Sequence, residues 1–341
     1  MQDIKSIAIL RALQLGDFLC SVPAIRALRT AYPKAKIAWI GLPNNAHLQQ
    51  RFSHYIDEFI PFPGYPGLPE QKVDPTSVEK FISQMQRKSF DIALQMQGNG
   101  TYVNELVSLF NARYCAGFYK PGNYRPNDVY FIPYPEGLHE VKRHLLLVQH
   151  IGIPALDKTL EFPFTLDLDC LTPNVQDRQY VCIHPGSRGE QRRWDPTLFA
   201  QMADLIAKAG YMPVLTGSKE ELDIVESVIE QMHYPAIIKA GSTNLDQMAT
   251  LLRHAKGLLS NCTGVAHMAY ALQTPAVVIS MDGEAHRWGQ YHSAIHRTIN
   301  WFTHPNLHSV QEAIENIILN SYPPMEQKDS DTPATIVVQR T

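Results

Sequence analysis

Short apolar runs alternate with amphipathic helical patterns along almost the whole chain, and this alternation stops once and then restarts. In the first half the apolar runs are Ser6–Leu10, Lys36–Ile40, Ile56–Ile60 and Phe90–Met96, with helical periodicity after Gly16, over Val78–Arg87 and over His139–Ile151. The segment Asp157–Gln179 has no clear period and contains Pro163 and Pro173. The runs resume at Tyr180–Ile183, Met212–Leu215, Ile237–Lys239, Gly257–Leu259 and Ala276–Ile279, separated by helical patterns at Thr197–Ala209, Lys219–Met232, Asn244–His254 and Val265–Leu272. Strand–helix alternation of this kind predicts parallel, doubly wound sheets, hence an α/β fold. At 341 residues the chain exceeds one ordinary domain. The expected organisation is two Rossmann-like domains, 1–160 and 179–321, joined by a linker at 161–178, with a polar tail at 322–341 expected to be disordered.

In open α/β sheets ligands bind where strands end, so the strand exits carry the functional reading. The first exit leads to Gly16-Asp17 at the start of a helical pattern in which Pro23 either opens the regular helix or kinks it. Glycine lets the backbone approach a ligand, and a helix N-terminus stabilises a carboxylate; a plain N-cap is the alternative for Asp17. The Phe90–Met96 run ends in Gln97-Gly98-Asn99-Gly100, another turn at a strand end. After Tyr180–Ile183 comes His184-Pro185-Gly186-Ser187, a loop with Arg188, Arg192 and Arg193, and then Asp195-Pro196, an N-cap with proline at the first helical position. Three guanidiniums beside one helix start suit a diphosphate; solvated loop charges are the alternative. Thr216-Gly217, Ser260–Gly264 and Asp282-Gly283 mark further exits. The Pro-rich stretches Pro61–Pro75 and Tyr119–Gly137, with Lys142 and Arg143 at the start of the helix that follows, are candidates for contact with a second substrate. Cations at a helix start oppose its dipole, which either an anionic partner or solvent offsets.

Several classes are excluded. A net charge of −3 gives no global basic field for nucleic acid. The five scattered cysteines form no Cys-x-x-Cys pair, which argues against a zinc knuckle or disulfide framework and for a reducing compartment. No secretory leader and no transmembrane run are expected, although peripheral membrane contact remains open. Neither G-x-G-x-x-G nor a Walker A pattern occurs. The pairs His292/His296 and His304/His308 lack a third ligand, and no metal site is expected.

The ordered set of motifs resembles glycosyltransferase family 9, the heptosyltransferase family. Gly16-Asp17 followed by Pro23–Arg29 is similar to the family's N-terminal signature. His184–Ser187 with Arg192-Arg193-Trp194, Thr216-Gly217 with an acidic pair, Ser260-Asn261 through Thr263-Gly264 with His267, and Arg287-Trp288-Gly289 follow in family order over about residues 5–320. The resemblance implies a GT-B architecture, two Rossmann-like domains facing a central cleft, the first binding acceptor and the second a nucleotide sugar. It implies inverting transfer, typically of heptose from ADP-heptose to the lipopolysaccharide inner core, without metal or other cofactor, in the cytoplasm with peripheral contact at the inner membrane. It assigns Asp17 as base, with Ser187, Arg192, Thr263 and Gly264 at the donor phosphates, His267 on the same helix, and Glu221 at the ribose; Arg188, Thr216 and Gly217 join the donor set. Gly16, Lys142 and Arg143 are assigned to the acceptor. Cys262 stands where the family usually has an Asp near the donor sugar, which leaves open a different donor sugar or a catalytically altered nucleotide-sugar-binding protein. A sugar-nucleotide epimerase would need further carboxylates facing the sugar.

Overall fold

A computed structural model describes residues 1, 3–171, 177–289 and 294–320. The chain divides into two compact units, the first ending at Thr159 and the second beginning at Leu160. In the first unit β1 (Ser6–Leu10), α1 (Leu15–Ala31), β2 (Lys36–Gly41), α2 (His47–Arg51), β3 (Glu58–Pro61), α3 (Pro75–Lys88), β4 (Ile92–Gln95), α4 (Val103–Ser108), β5 (Tyr114–Tyr119), β6 (Phe131–Pro133) and α5 (Glu140–His150) follow one another. In the second the order is β7 (Tyr180–His184), α6 (Pro196–Lys208), β8 (Met212–Leu215), α7 (Leu222–Ile229), β9 (Ile237–Ile238), α8 (Leu245–His254), β10 (Gly257–Asn261), α9 (Gly264–Ala271), β11 (Ala276–Ser280), α10 (Ala285–Trp288), β12 (His296–Asn300) and α11 (Leu307–Ala313).

Each unit holds a six-stranded, wholly parallel sheet, ordered β3-β2-β1-β4-β5-β6 in the first and β12-β11-β10-β7-β8-β9 in the second. Read outward from the strand that opens each unit, the two orders are the same. The chain reverses direction between β1 and β4, and again between β7 and β10. Those two switch points are where a doubly wound sheet opens a crevice for a ligand.

The strands read as near-continuous apolar runs because helices cover both faces. Ile7, Ile9, Ile37, Ile92 and Leu94 in the first sheet, and Val181, Ile183, Leu259, Val277 and Ile279 in the second, are fully buried. Asp195 caps α6 by accepting from the Thr197 N–H at 2.8 Å, with Pro196 as the first helical residue. Pro23 lies well inside α1 and the helix runs through it, so it neither opens nor ends the helix.

Three strands escape the sequence pattern. Within Tyr114–Tyr119, Gly117 interrupts the apolar run because a side chain there would meet Gln95 Cβ at 2.7 Å and the Phe131 ring at 2.9 Å. β6 is three residues bounded by a proline, and β12, His-Arg-Thr-Ile-Asn, is a mostly polar edge strand. The last helix, α11, begins at Leu307 and passes into a π-helical segment at Ile314–Leu319. Of the stretch expected as a linker, 161–178, the residues up to 171 are tied to α8 through Thr165 and Asp167. The Thr165 N–H donates to Asp246, the Asp167 N–H to the Thr250 hydroxyl, and Gln247 Nε2 to the Asp167 carboxylate. The expected tail and His292 lie outside the described residues.

His296 fixes the edge of the second sheet. It is buried, and its Nε2 donates to the Thr274 carbonyl at 3.0 Å. Burial pushes its pKa down to about 4, against the smaller upward pull of that hydrogen bond. The unfolded chain binds this proton more readily, so the contribution is complete above about pH 6.5 and is lost as pH falls through 4. Denaturant unfolding at pH 7.0, 5.5 and 4.5 should show stability falling, by up to about 3 kcal/mol from this residue, and His296→Asn should flatten that part of the profile.

Candidate active site

At the switch point of the first unit, the chain leaving β1 is held at every residue. The Arg11 carbonyl accepts from Trp39 Nε1 at 3.0 Å. Gln97, leaving β4, accepts from the Ala12 N–H at 2.7 Å and donates back to its carbonyl at 3.3 Å. Asn45 donates to the Leu13 carbonyl at 2.9 Å. This loop delivers Gly16 and Asp17 into the first turn of α1, where Gly16 is buried and the Asp17 side chain is 23% exposed.

Beneath Asp17 lies Arg11, 1% exposed. Its guanidinium donates to the Met96 carbonyl at 2.7 Å and the Asp17 carbonyl at 3.2 Å, and pairs with Asp17 Oδ1 at 3.4 Å and Glu140 Oε1 at 2.9 Å. Glu140, equally buried, is also bound by Arg143, whose Nη2 donates to the carbonyls of Pro135 and Leu138 and whose guanidinium stacks 4.2 Å from the Tyr134 ring. His144 Nε2 lies 3.3 Å from Glu140. Burial, and then the Arg11 charge, push His144 down to about 4 against the opposing effect of Glu140, so it is neutral at pH 7. The cluster therefore holds two cations, Arg11 and Arg143, against two carboxylates, Asp17 and Glu140.

This corrects part of the acceptor assignment. Arg143 is turned inward and held by Glu140 and backbone carbonyls, so its role is to support the network beneath Asp17 rather than to reach an acceptor. Of the two offsets considered for the cations of α5, an anionic partner or solvent, Arg143 takes neither: its charge is met by Glu140 in the helix's own first turn. His139 acts as N-cap, its Nδ1 accepting from the Val141 N–H at 3.2 Å. Lys142 is half-buried.

The second unit gathers the donor candidates around its own switch point. β7 ends at His184, and Gly186-Ser187 leads into the arginine loop. Asn261, the last residue of β10, holds both ends of that loop: its Nδ2 donates to the Pro185 carbonyl at 2.7 Å and its Oδ1 accepts from the Trp194 N–H at 2.9 Å. Arg193 Nε donates to the Ser187 carbonyl at 2.9 Å. Trp194 anchors the far end, packing edge-on against Phe199 and Trp301. Ser187 is thereby fixed at the exit of β7, while Arg188 and Arg192 remain exposed.

Past β8, Thr216 is fully buried and lies 3.1 Å from His184 Nδ1. Its hydroxyl braces His184 instead of meeting a donor, which corrects its assignment and leaves that exit to Gly217 and Glu221. Glu221 Oε2 accepts from the Ser218 N–H at 2.8 Å and lies 3.7 Å from His184 Nε2. Burial lowers the His184 pKa and the Glu221 carboxylate partly offsets this. Among the described residues Glu221 Oε1 takes no hydrogen bond. The carboxylate lies directly over Gly186, where a Cβ would approach its carboxyl carbon to 2.2 Å.

After β10, Thr263 is the N-cap of α9 and its side chain makes no capping hydrogen bond. The Ala266 N–H donates to the Thr263 carbonyl at 3.0 Å, and the Gly264 and Val265 amides ahead of it are the ones a helix start leaves for an anion. His267, one turn on, is buried, with Tyr270 and Trp288 edge-on at ring-centroid distances of 5.8 and 6.3 Å. Cys262 is half-buried, and desolvation pushes its thiol up to about 12, so it stays protonated. Sequence reasoning missed Arg11, Glu140 and Asn261 as supporting residues. A charged residue directly after a buried strand, and an asparagine ending one, were the available signals. Among the described residues no group of three or more His, Cys, Asp or Glu is placed to hold a metal ion.

Residues 78–315 match glycosyltransferase family 9 (heptosyltransferase). The chain belongs to that family and is a glycosyltransferase. It is 24% identical over 281 residues to the lipopolysaccharide core heptosyltransferase OpsX of Haemophilus influenzae, covering 80% of this chain and 78% of that one. A family 9 glycosyl transferase from Veillonella parvula superimposes with a TM-score of 0.70 at 20% identity, covering 94% of this chain and 98% of that one. The Escherichia coli ADP-heptose lipopolysaccharide heptosyltransferase II gives 0.69 at 21%, with 93% and 99% covered. The two parallel-sheet domains are accordingly those of a GT-B fold.

Removing one partner of a buried ion cluster leaves uncompensated charge, which costs about 3–5 kcal/mol. Glu140→Ala should lower the unfolding free energy by that amount, read from the shift of the denaturant midpoint, and Glu140→Gln by clearly less. Equal stability of Glu140→Ala and wild type in urea titrations would show the network to be dispensable.

Proposed function

We propose that this glycosyltransferase moves heptose from ADP-heptose to a lipopolysaccharide core acceptor, with inversion at the anomeric carbon. The observation that carries this reading is the grouping, at one switch point, of Ser187, Arg188 and Arg192, the uncapped amides of α9 and the carboxylate of Glu221. Cations and helix amides suit a diphosphate, and a carboxylate suits the paired hydroxyls of a ribose. The names of the relatives supply the sugar, the nucleotide and the class of acceptor.

In the mechanism, Asp17 accepts the proton of an acceptor hydroxyl as its oxygen attacks the anomeric carbon. The bond from that carbon to the diphosphate oxygen breaks, and ADP departs with the electron pair. The α1 N-terminus and Arg11 keep Asp17 ionised and aimed, so that it starts the reaction as a base. Arg192, Arg188 and the Gly264 end of α9 stabilise the charge growing on the leaving diphosphate. No metal is required in this scheme. The acceptor being a glycolipid, we place the reaction at the cytoplasmic face of the inner membrane; among the described residues no helix is long and apolar enough to cross a membrane.

Asp17→Asn should lower kcat by about 10²–10⁴-fold while leaving the Kd for ADP within about twofold of wild type. Unchanged kcat would remove Asp17 from the base role. In a thermal-shift panel of ADP, UDP, GDP and their sugar conjugates, ADP-heptose and ADP should raise Tm most, and transfer should survive excess EDTA. A preference for UDP or GDP would discard ADP-heptose as donor, and loss of transfer in EDTA would discard the metal-free scheme.

A further inference from the structure

The second sheet lays its strand ends side by side in the order β8, β7, β10, β11, β12, at about 4.8 Å per strand. Glu221 stands at the end of β8, Ser187 and Arg192 follow β7, and Thr263-Gly264 follow β10. On the reading above, which this inference rests on, these positions take the ribose and the diphosphate in turn. The transferred sugar then continues along the same edge, toward the end of β11.

At that end stands Asp282, whose side chain is 18% exposed. Its Oδ1 accepts from the Ser280 hydroxyl at 3.0 Å and from the Glu284 N–H at 3.1 Å, and its Oδ2 lies 3.4 Å from Arg192 Nε. The carboxylate is therefore fixed in place and joined to a cation assigned to the diphosphate. The neighbouring Glu284 is already engaged, by Arg287 Nη1 at 3.1 Å and Trp288 Nε1 at 3.0 Å. Cys262 stands just past the end of the adjacent strand β10, its N–H donating to the Ile279 carbonyl of β11 at 2.8 Å. Gly283 has φ +75°, a conformation that disfavours a side chain, and the Phe302 ring, 68% exposed, packs over it. An anchored carboxylate next to an exposed aromatic face offers the two features a sugar ring needs: an acceptor for hydroxyls and an apolar surface.

We propose that Asp282 is the donor-sugar-binding residue of this enzyme, its Oδ2 accepting hydroxyl groups of the transferred sugar. It stands one strand over from Cys262, which offers only a half-buried, protonated thiol.

The test is calorimetric titration of the full-length wild type, Asp282→Asn, and the double variant Cys262→Asp/Asp282→Asn with ADP and with ADP-heptose. Asp282→Asn should weaken ADP-heptose by at least about tenfold, the loss of a charged acceptor for a hydroxyl, while ADP stays within about twofold. The double variant returns a carboxylate to the same neighbourhood and should recover at least about threefold of the lost affinity. Equal weakening of both ligands would show that Asp282 acts only through Arg192 on the phosphates, and no weakening of either would remove it from the site; each overturns the proposal. Wild-type protein that binds neither ligand refutes the ADP-heptose reading itself, and this inference with it. Wild type that binds both while Asp282→Asn fails to discriminate refutes Asp282 alone.

Discussion

A fully buried guanidinium is tolerable only where every donor finds an acceptor and its charge is matched. Arg11 meets that demand with the end of β4, the first turn of α1 and the start of α5. Satisfying one side chain therefore requires three separate pieces of the first unit to be in place together. The exposed product of this arrangement is Asp17, whose carbonyl and carboxylate both face Arg11. Its position is set by the folding of the core rather than by the flexibility of a loop. A carboxylate held this way is preorganised before any ligand arrives.

The two units share one strand order but put opposite chemistry at equivalent places. In the first, the reversal of the sheet presents a carboxylate on a helix N-terminus; in the second, arginines and an uncapped helix start. Each polarity follows from what stands beside the opening strand. Gln97 and Arg11 clamp the first loop short and leave an acid at its end, whereas Asn261 clamps the second loop at both ends and lets its middle carry cations outward. The same topology thereby presents an acid in one half and cations in the other, the two polarities that the proposed reaction calls for.

Much of this is readable from the residues. The apolar runs located nine of the twelve strands among the described residues; seven of the nine lie inside their sheets, where burial on both faces leaves an uninterrupted signal, and β3 and β9 are edges. β5, β6 and β12 were hidden, since Gly117, the prolines around Phe131 and the polar residues of β12 resemble loops until pairing partners are known. Within the site, the loop bearing Ser187 and Arg192 and the helix start at Thr263-Gly264 could be located because turns and helix starts have local signatures. Thr216 and Arg143 were misassigned for a common reason: a polar residue at a strand end or helix start looks the same in sequence whether it faces a ligand or a buried partner. Glu140, 129 positions from Arg11, is bound to it only through the tertiary fold.

The approach of Gly186 to Glu221 couples two strand exits. A side chain at 186 would meet the carboxylate of Glu221 in its observed place. That carboxylate is the free end of a flexible side chain, so it can swing aside, but in doing so it leaves the Ser218 N–H that now holds it. The turn after β7 therefore acts as a stop that sets the rotamer of a residue on the neighbouring exit: a methyl group added to one loop would be felt as a change of aim in the acid of the other.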